Sequence, residues 1–262
     1  MIDFVYKEQY TVEDLVEIIR LLRSDHGCPW DREQSHESIR RNFLEEAYEA
    51  VEAIDEQDPE HLKEELGDVL MQVIFHSVME EEEGRFCLND VADRTCKKLI
   101  NRHPHVFGTV RVSGSGEVLR NWDEIKRQEK GQETLASAMD SVAKSLPALW
   151  RAEKVQNKAR KVGFDWPDIS GAWGKVQEET TELKQAILGN TNVEEELGDL
   201  LFAVVNVARF LKVDPEQALG SACDKFVARF QKVEEMARSA GSALENMSLS
   251  EMDVLWERAK KC

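Results

Sequence analysis

Hydrophobic positions recur at intervals of three and four along most of this chain. Over residues 35–54 the apolar set is Ile39, Phe43, Ala47, Ala50, Val51 and Ile54. Over 58–83 it is Leu62, Leu66, Val69, Leu70, Val73 and Ile74. That spacing lines one face of an α-helix, so it predicts two amphipathic helices. Ser35 or Ser38 is expected to cap the first. Asp58 followed by Pro59 starts the second and Gly84 stops it. The same two-helix pattern returns over 172–188, closed by Gly189 and Asn190, and over 193–211. Asp214 and Pro215 then open a third helix that runs to about Ala240.

The recurrence extends to individual residues. Glu-Glu-x-x-Glu occurs as Glu45, Glu46 and Glu49, and again as Glu178, Glu179 and Glu182. Glu-x-x-Asp follows as Glu65 and Asp68, and again as Glu196 and Asp199. Lys98 and Arg102 are matched by Lys225 and Arg229, and Trp122 by Trp256. The offset runs from 127 residues (Lys98 to Lys225) to 134 (Trp122 to Trp256). Several features kept in one order predict two homologous units in tandem, at residues 1–130 and 140–262. The segment 130–140, with Gly131, reads as the junction, and 108–117, with three glycines and two serines, reads as a loop. The fold class predicted is all-α, a tandem pair of helical bundles.

Composition narrows the function. With 42% hydrophobic residues a core can form, and no window approaches the ~18 apolar residues of a membrane span. The formal net charge of −17 disfavours nucleic acid and anionic membranes as partners. It also repels free phosphates, so a phosphate ester needs bridging cations. Five cysteines, none in C-x-x-C spacing, read as free thiols, and the N-terminus lacks the pattern of a signal peptide. A cytoplasmic location is the expectation.

The acids carry the chemistry. Residues three apart share a helix face, so Glu179 points with Glu182 and Glu196 with Asp199. Asp199 lies among Gly198, Leu200 and Leu201, where a carboxylate is costly unless paired or metal-bound. Two such helices packed antiparallel are expected to aim four carboxylates at one spot, and a hard divalent cation relieves their repulsion. Alone, either acidic motif reads as a solvated helix face. Both together, separated by 15 residues in the first half and 13 in the second, point to metal binding. The same logic marks Glu46, Glu49, Glu65 and Asp68 in the first half.

Other candidates are weaker. Lys225 and Arg229, cations in a very acidic chain, suggest phosphate partners. Trp256 reads either as core or as a wall of the nucleotide pocket. His103-Pro104-His105 has no counterpart and reads as a structural turn. Glu33 and His36 form one Glu-x-x-His pair, whereas a di-iron bundle needs two. No Walker A or G-x-G-x-x-G motif is present.

With these motifs, the stretches GCPWDREQ, EELGDVLMQVIFH, RHPHVFG and EELGDLLFAVVNVAR resemble the all-α NTP pyrophosphatase superfamily over nearly the full length. The closest likeness is to its two-domain MazG-type members. The resemblance implies a homodimer that hydrolyses NTPs and dNTPs to monophosphates and pyrophosphate with Mg²⁺, the second domain being catalytic. Carried over, the Mg²⁺ ligands are Glu179, Glu182, Glu196 and Asp199. Lys175, Lys225 and Arg229 meet the phosphates, and Trp256 meets the nucleotide. Glu178 is the expected proton acceptor or water-orienting group. Lys175 stands four residues before Glu179, where the first half has Asn42 before Glu46. Conversely, Asn192 and Glu194 stand where the first half has His61 and Lys63. The alternatives are a narrower-specificity pyrophosphatase of the same fold and a non-catalytic nucleotide-binding regulatory module.

Overall fold

The computed structural model describes residues 4–129 and 135–261, and among these no strand occurs. The chain divides into two compact units, Met1–Lys126 and Arg127–Cys262. Residues 130–134 of the expected junction, Gly131 included, lie outside the described residues.

The first unit is built on a helical hairpin. Helix α3 (Arg40–Glu56) and helix α4 (Pro59–Glu82) are joined by Gln57, whose φ of 58° is left-handed, and by Asp58. The Asp58 side chain accepts from the Glu60 and His61 amides, and Pro59 occupies a position whose amide would have no helical partner. Helix α1 (Val12–Arg23) packs on α4, and α2 (Pro29–Glu33) lies beside α1. Val16, Ile19, Ile39, Ile74, Phe75, Val78 and Met79 form the core between them. Arg20 reaches Glu81 and Arg23 reaches Glu82, fastening α1 to the end of α4. Gly84, at a φ of 68°, reverses the chain where an L side chain would be strained. Helices α5 (Leu88–Arg102), α6 (Pro104–Phe107) and α7 (Ser115–Glu129) follow.

The expected serine cap is corrected. Ile39 occupies the cap position of α3 with no side-chain hydrogen bond. Ser35 and Ser38 bond each other and Gln34 in the preceding turn. Burial of Ile39 in the core sets where the helix begins.

The second unit repeats the hairpin with α10 (Ile169–Gly189) and α11 (Val193–Leu211), after α8 (Leu135–Asp140) and α9 (Ala148–Arg160). Asn190 takes the left-handed conformation that closes α10, and Lys212 does the same for α11. Asp214 caps α12 (Pro215–Ser239), which pairs chiefly with α13 (Leu249–Ala259) rather than with α11. The loop before α10 is fastened by Asp165, whose two oxygens meet Arg209 of α11 at 2.9 and 2.5 Å. The Gln156 amide donates to the Phe202 carbonyl, tying α9 to α11.

Several expected core positions are exposed: Val51 and Ile54 on α3, and Leu66 on α4. Leu197, Leu201 and Val204 form an exposed stripe on α11, and Phe226, Val227 and Phe230 an exposed patch on α12. The periodicity marked apolar faces correctly, but one chain covers only part of each. No described helix is long and apolar enough to cross a membrane. The described cysteines Cys28, Cys87, Cys96 and Cys223 are free thiols.

Candidate active site

In the second unit the acids meet at the α10–α11 seam. One carboxylate oxygen from each of Glu179, Glu196 and Asp199 lies within 4.8 Å of the other two. Glu178, Glu179 and Glu182 form a second group within the same limit. The expectation of four acids at one spot is therefore refined to two overlapping triads that share Glu179. Glu179 is the buried member, at 4% exposure, whereas Asp199 is exposed. This corrects the reading of Asp199 as an embedded carboxylate: Gly198 and Leu201 beside it are exposed and Leu200 is only half-buried, so the desolvation cost falls on Glu179 instead.

The first unit holds a smaller version. Glu46, Glu49 and Glu65 converge within 4.8 Å, and Asp68 lies outside that group. Asp68 still acts through space, since burial and then Asp68, Glu49 and Glu65 raise the Glu46 pKa. In the second unit the Glu182 pKa is raised, first by its hydrogen bond with Glu179. Burial leads for Glu46 and the neighbouring acid for Glu182, and both effects favour the protonated carboxyl.

Each cradle has one intrachain cation partner, at i,i+4 on a helix. Lys175 Nζ is 2.5 Å from Glu179 and 2.8 Å from Glu178. Hydrogen bonds to these two carboxylates, Glu178 first, raise the Lys175 pKa and keep it charged. In the first unit His61 Nε2 is 3.3 Å from Glu65, and its other ring nitrogen is 3.2 Å from Glu56. The lysine absent from the first cradle is thus replaced in position by the histidine on the facing helix.

Lys225, Arg229 and Trp256 gather elsewhere. The Arg229 guanidinium stands over the Trp256 ring at 6.0 Å, and Phe226 packs against that ring at 5.0 Å. Lys225 is exposed on the same helix. Among the described residues, no hydrogen bond or ion pair links the three to the cradle acids. They form a cationic, aromatic edge on the α12–α13 pair. In the first unit Trp122 stands edge-on to His103, which bonds the Leu99 carbonyl at 2.6 Å, so the His-Pro-His turn is structural.

The spacing of the sequence did not reveal a histidine pair. His36 Nδ1 lies 2.7 Å from His76 Nδ1, and His36 Nε2 lies 2.7 Å from Glu80. The signal was there in part: His76 and Glu80 are polar and four residues apart, so they share a face of α4. His36 spends both its nitrogens on these partners, and Glu33 is exposed on α2.

The cradles fit a hard divalent cation on their own chemistry. Every donor is a carboxylate oxygen, the ligand type such ions prefer. Glu179 Oε2 and Glu65 Oε2 are buried and lack any hydrogen-bond partner. A buried carboxylate oxygen left this way is costly until a cation meets it, and each cradle contains one.

Comparison with known proteins agrees with this geometry. The MazG nucleotide pyrophosphohydrolase domain matches twice, at residues 34–107 and 173–234, and each match contains one cradle. The nucleoside triphosphate pyrophosphohydrolase/pyrophosphatase MazG of Thermotoga maritima is 47% identical over 248 residues, 95% of each chain. The nucleoside triphosphate pyrophosphohydrolase of Escherichia coli K12 is 42% identical over 255 residues, 95% of this chain and 97% of that one. With two domain matches and likeness along nearly its whole length, this chain belongs to the MazG nucleotide pyrophosphohydrolase family.

Proposed function

We propose that this chain, as a nucleoside triphosphate pyrophosphohydrolase, works with Mg²⁺ and cleaves both NTPs and dNTPs between the α and β phosphates. The observation that carries the reading is the buried, unpartnered Glu179 Oε2 inside a cluster of four further acids and one lysine. Glu179, Glu182, Glu196 and Asp199 hold the metal in the second unit. Glu46, Glu49 and Glu65, with Asp68 nearby, form the corresponding set in the first. Bound there, Mg²⁺ supplies charge neutralisation and a water of lowered pKa.

The remaining work falls to the chain itself. Glu178 is exposed at the cradle's edge and takes the proton of the attacking water. Lys175 neutralises Glu178 and Glu179 in the resting chain and turns toward phosphate when the cation takes over that task. Lys225 and Arg229 neutralise the departing pyrophosphate, and Trp256 contacts the nucleotide. Positioning and charge neutralisation supply most of the acceleration, as in phosphoryl transfer generally.

A homodimer completes the reading. The exposed stripe of α11 and the patch of α12 are apolar surfaces that a second copy buries, and they adjoin the cradle helix and the cationic edge. The test is product identification with the full chain and each of the eight common NTPs and dNTPs. Monophosphate and pyrophosphate in equal amounts, only when Mg²⁺ is present, is the expected result. Release of orthophosphate, or equal turnover in chelator, overturns it.

A further inference from the structure

The first unit carries a cavity of ≈ 430 Å³ lined by His36, Phe43, Val73, His76, Ser77 and Phe86, among others. Its walls are chiefly apolar, with one polar edge, and that edge is wired. Arg85 donates to Glu80 through Nε at 2.5 Å and through a terminal nitrogen at 2.9 Å. Those bonds, and then His36, hold the Glu80 pKa below the ordinary glutamate value, so Glu80 is ionised and only accepts. His36 therefore donates from Nε2 to Glu80. The Nδ1 atoms of His36 and His76 stand 2.7 Å apart, and one proton lies between them. Burial, and next the nearby His36, lowers the His76 pKa, which favours the neutral ring. The chain from Arg85 to His76 thus holds the His76 ring in place and leaves its Nε2 as the ring's remaining polar atom, beside apolar and aromatic walls.

The cavity shares its helices with the first cradle. Phe43 precedes Glu46 by three residues on α3, the same face and ~4.5 Å along the axis. His76 follows Glu65 by eleven residues on α4, again the same face and ~16 Å along. A ligand lying along the α3–α4 seam meets acids at one end and an apolar cavity edged by the His76 ring at the other.

We infer that this cavity is a nucleobase pocket of the first unit, in which His76 Nε2 hydrogen-bonds the edge of the base while the phosphates lie on cations at Glu46, Glu49 and Glu65. The inference rests on the metal-cradle reading above. The second unit has no equivalent device. By the offsets that match Glu46 to Glu179 and Glu65 to Glu196, the counterparts of His36, Phe43, His76 and Glu80 are Ile169, Val176, Val207 and Leu211, all apolar. The two units therefore read the base differently.

The test uses the full chain with Glu179→Gln, which disables the second cradle, and measures binding of Mg²⁺ with α,β-methylene-UTP and with inorganic tripolyphosphate. The expected result is that His76→Leu weakens the nucleotide about tenfold, His76→Gln, which keeps a hydrogen-bonding group, weakens it far less, and tripolyphosphate is unaffected by either. Equal nucleotide affinity in the parent and His76→Leu, with tripolyphosphate still bound, overturns the pocket alone. Absence of binding by nucleotide and tripolyphosphate alike overturns the first cradle as well.

Discussion

Lys175 Nζ sits 2.5 Å from Glu179 Oε1, so a lysine stands beside the buried acid that a divalent cation needs most. On the proposed reading, lysine and cation compete for that oxygen before nucleotide arrives, and the lysine becomes a phosphate partner afterwards. Two opposite effects follow from Lys175→Met. Mg²⁺ affinity of the nucleotide-free chain rises, by about tenfold, because a like charge at ~3–4 Å is removed. The kcat/KM for pyrophosphate release falls about 10²-fold, because a group that meets developing charge is lost. Calorimetric titration with Mg²⁺ and a pyrophosphate assay measure the two. Unchanged Mg²⁺ affinity would show that Lys175 is a bystander.

Glu179→Gln and Asp199→Asn separate metal binding from folding. Glutamine keeps the shape of Glu179 and removes a buried charge, so the metal-free variant melts at or above the parent's temperature. Asp199 is exposed, and its replacement leaves the melt within about 0.5 kcal/mol of the parent. Both lose pyrophosphate release by at least ~10³-fold. Normal turnover in either variant removes it from the site.

The crowded acids also predict a pH signature. The folded-state pKa values of Glu46 and Glu182 lie above the ordinary glutamate value of 4.5. The folded metal-free chain holds those protons more tightly than the unfolded chain. The two groups therefore disfavour the folded state progressively as pH rises through 4.5 and past the raised values. A bound cation releases the protons and reverses the penalty. The gain in melting temperature on adding Mg²⁺ should then grow with pH from about 4.5 and level off above the raised pKa values. Glu46→Gln with Glu182→Gln flattens that rise. A Mg²⁺ shift equal at pH 4 and pH 7 in the parent contradicts it.

How much of this was legible in the sequence depended on whether a feature is local. The hairpins were legible because Asp58, Asn190 and Asp214 act on their own turns, and the acid clusters because residues three apart share a face. Ser35 and Ser38 misled because helix α3 starts where Ile39 finds the core. Asp199 misled because its neighbours Gly198 and Leu201 are exposed and Leu200 is only half-buried, which the packing of α11 decides. His36 and His76 are 40 residues apart and have no common period, so nothing local joins them. Lys225 and Arg229 were read as phosphate partners from charge, i,i+4 spacing, the match to Lys98 and Arg102, and the family resemblance, none of which showed that α12 pairs with α13.

The Asp165–Arg209 pair is a structural counterpart to the cradle. Both side chains are largely buried, and the two bonds hold the loop before α10 against α11. Arg209 first, by hydrogen bonding, lowers the Asp165 pKa below its ordinary value of 3.8. Its contribution is therefore present above pH 3.8 and is lost as pH falls through the lowered value. Asp165→Asn leaves the arginine buried with a weaker partner and costs about 3 kcal/mol, read as a lowered urea midpoint. Activity per folded molecule is retained, which distinguishes this pair from a catalytic one.

The exposed stripe on α11 is the surface on which the proposed dimer is tested. Leu197, Leu201 and Val204 fall at i, i+4 and i+7, so they present one continuous ridge, with exposures of 46%, 50% and 47%. A helix with such a ridge open to water is an incomplete packing surface, and a second copy related by a twofold axis presents the same ridge in return. The expected state is a dimer of twice the 30.0 kDa chain mass. Leu201→Glu places two charges opposite each other at the centre of that contact and shifts the protein to monomer at micromolar concentration. Because Lys225, Arg229 and Trp256 do not meet the acids within one chain, activity should fall with the dimer fraction rather than persist in the monomer. Light scattering and pyrophosphate release on the same dilution series test both statements, and a fully active Leu201→Glu monomer refutes the dimer's part in the site.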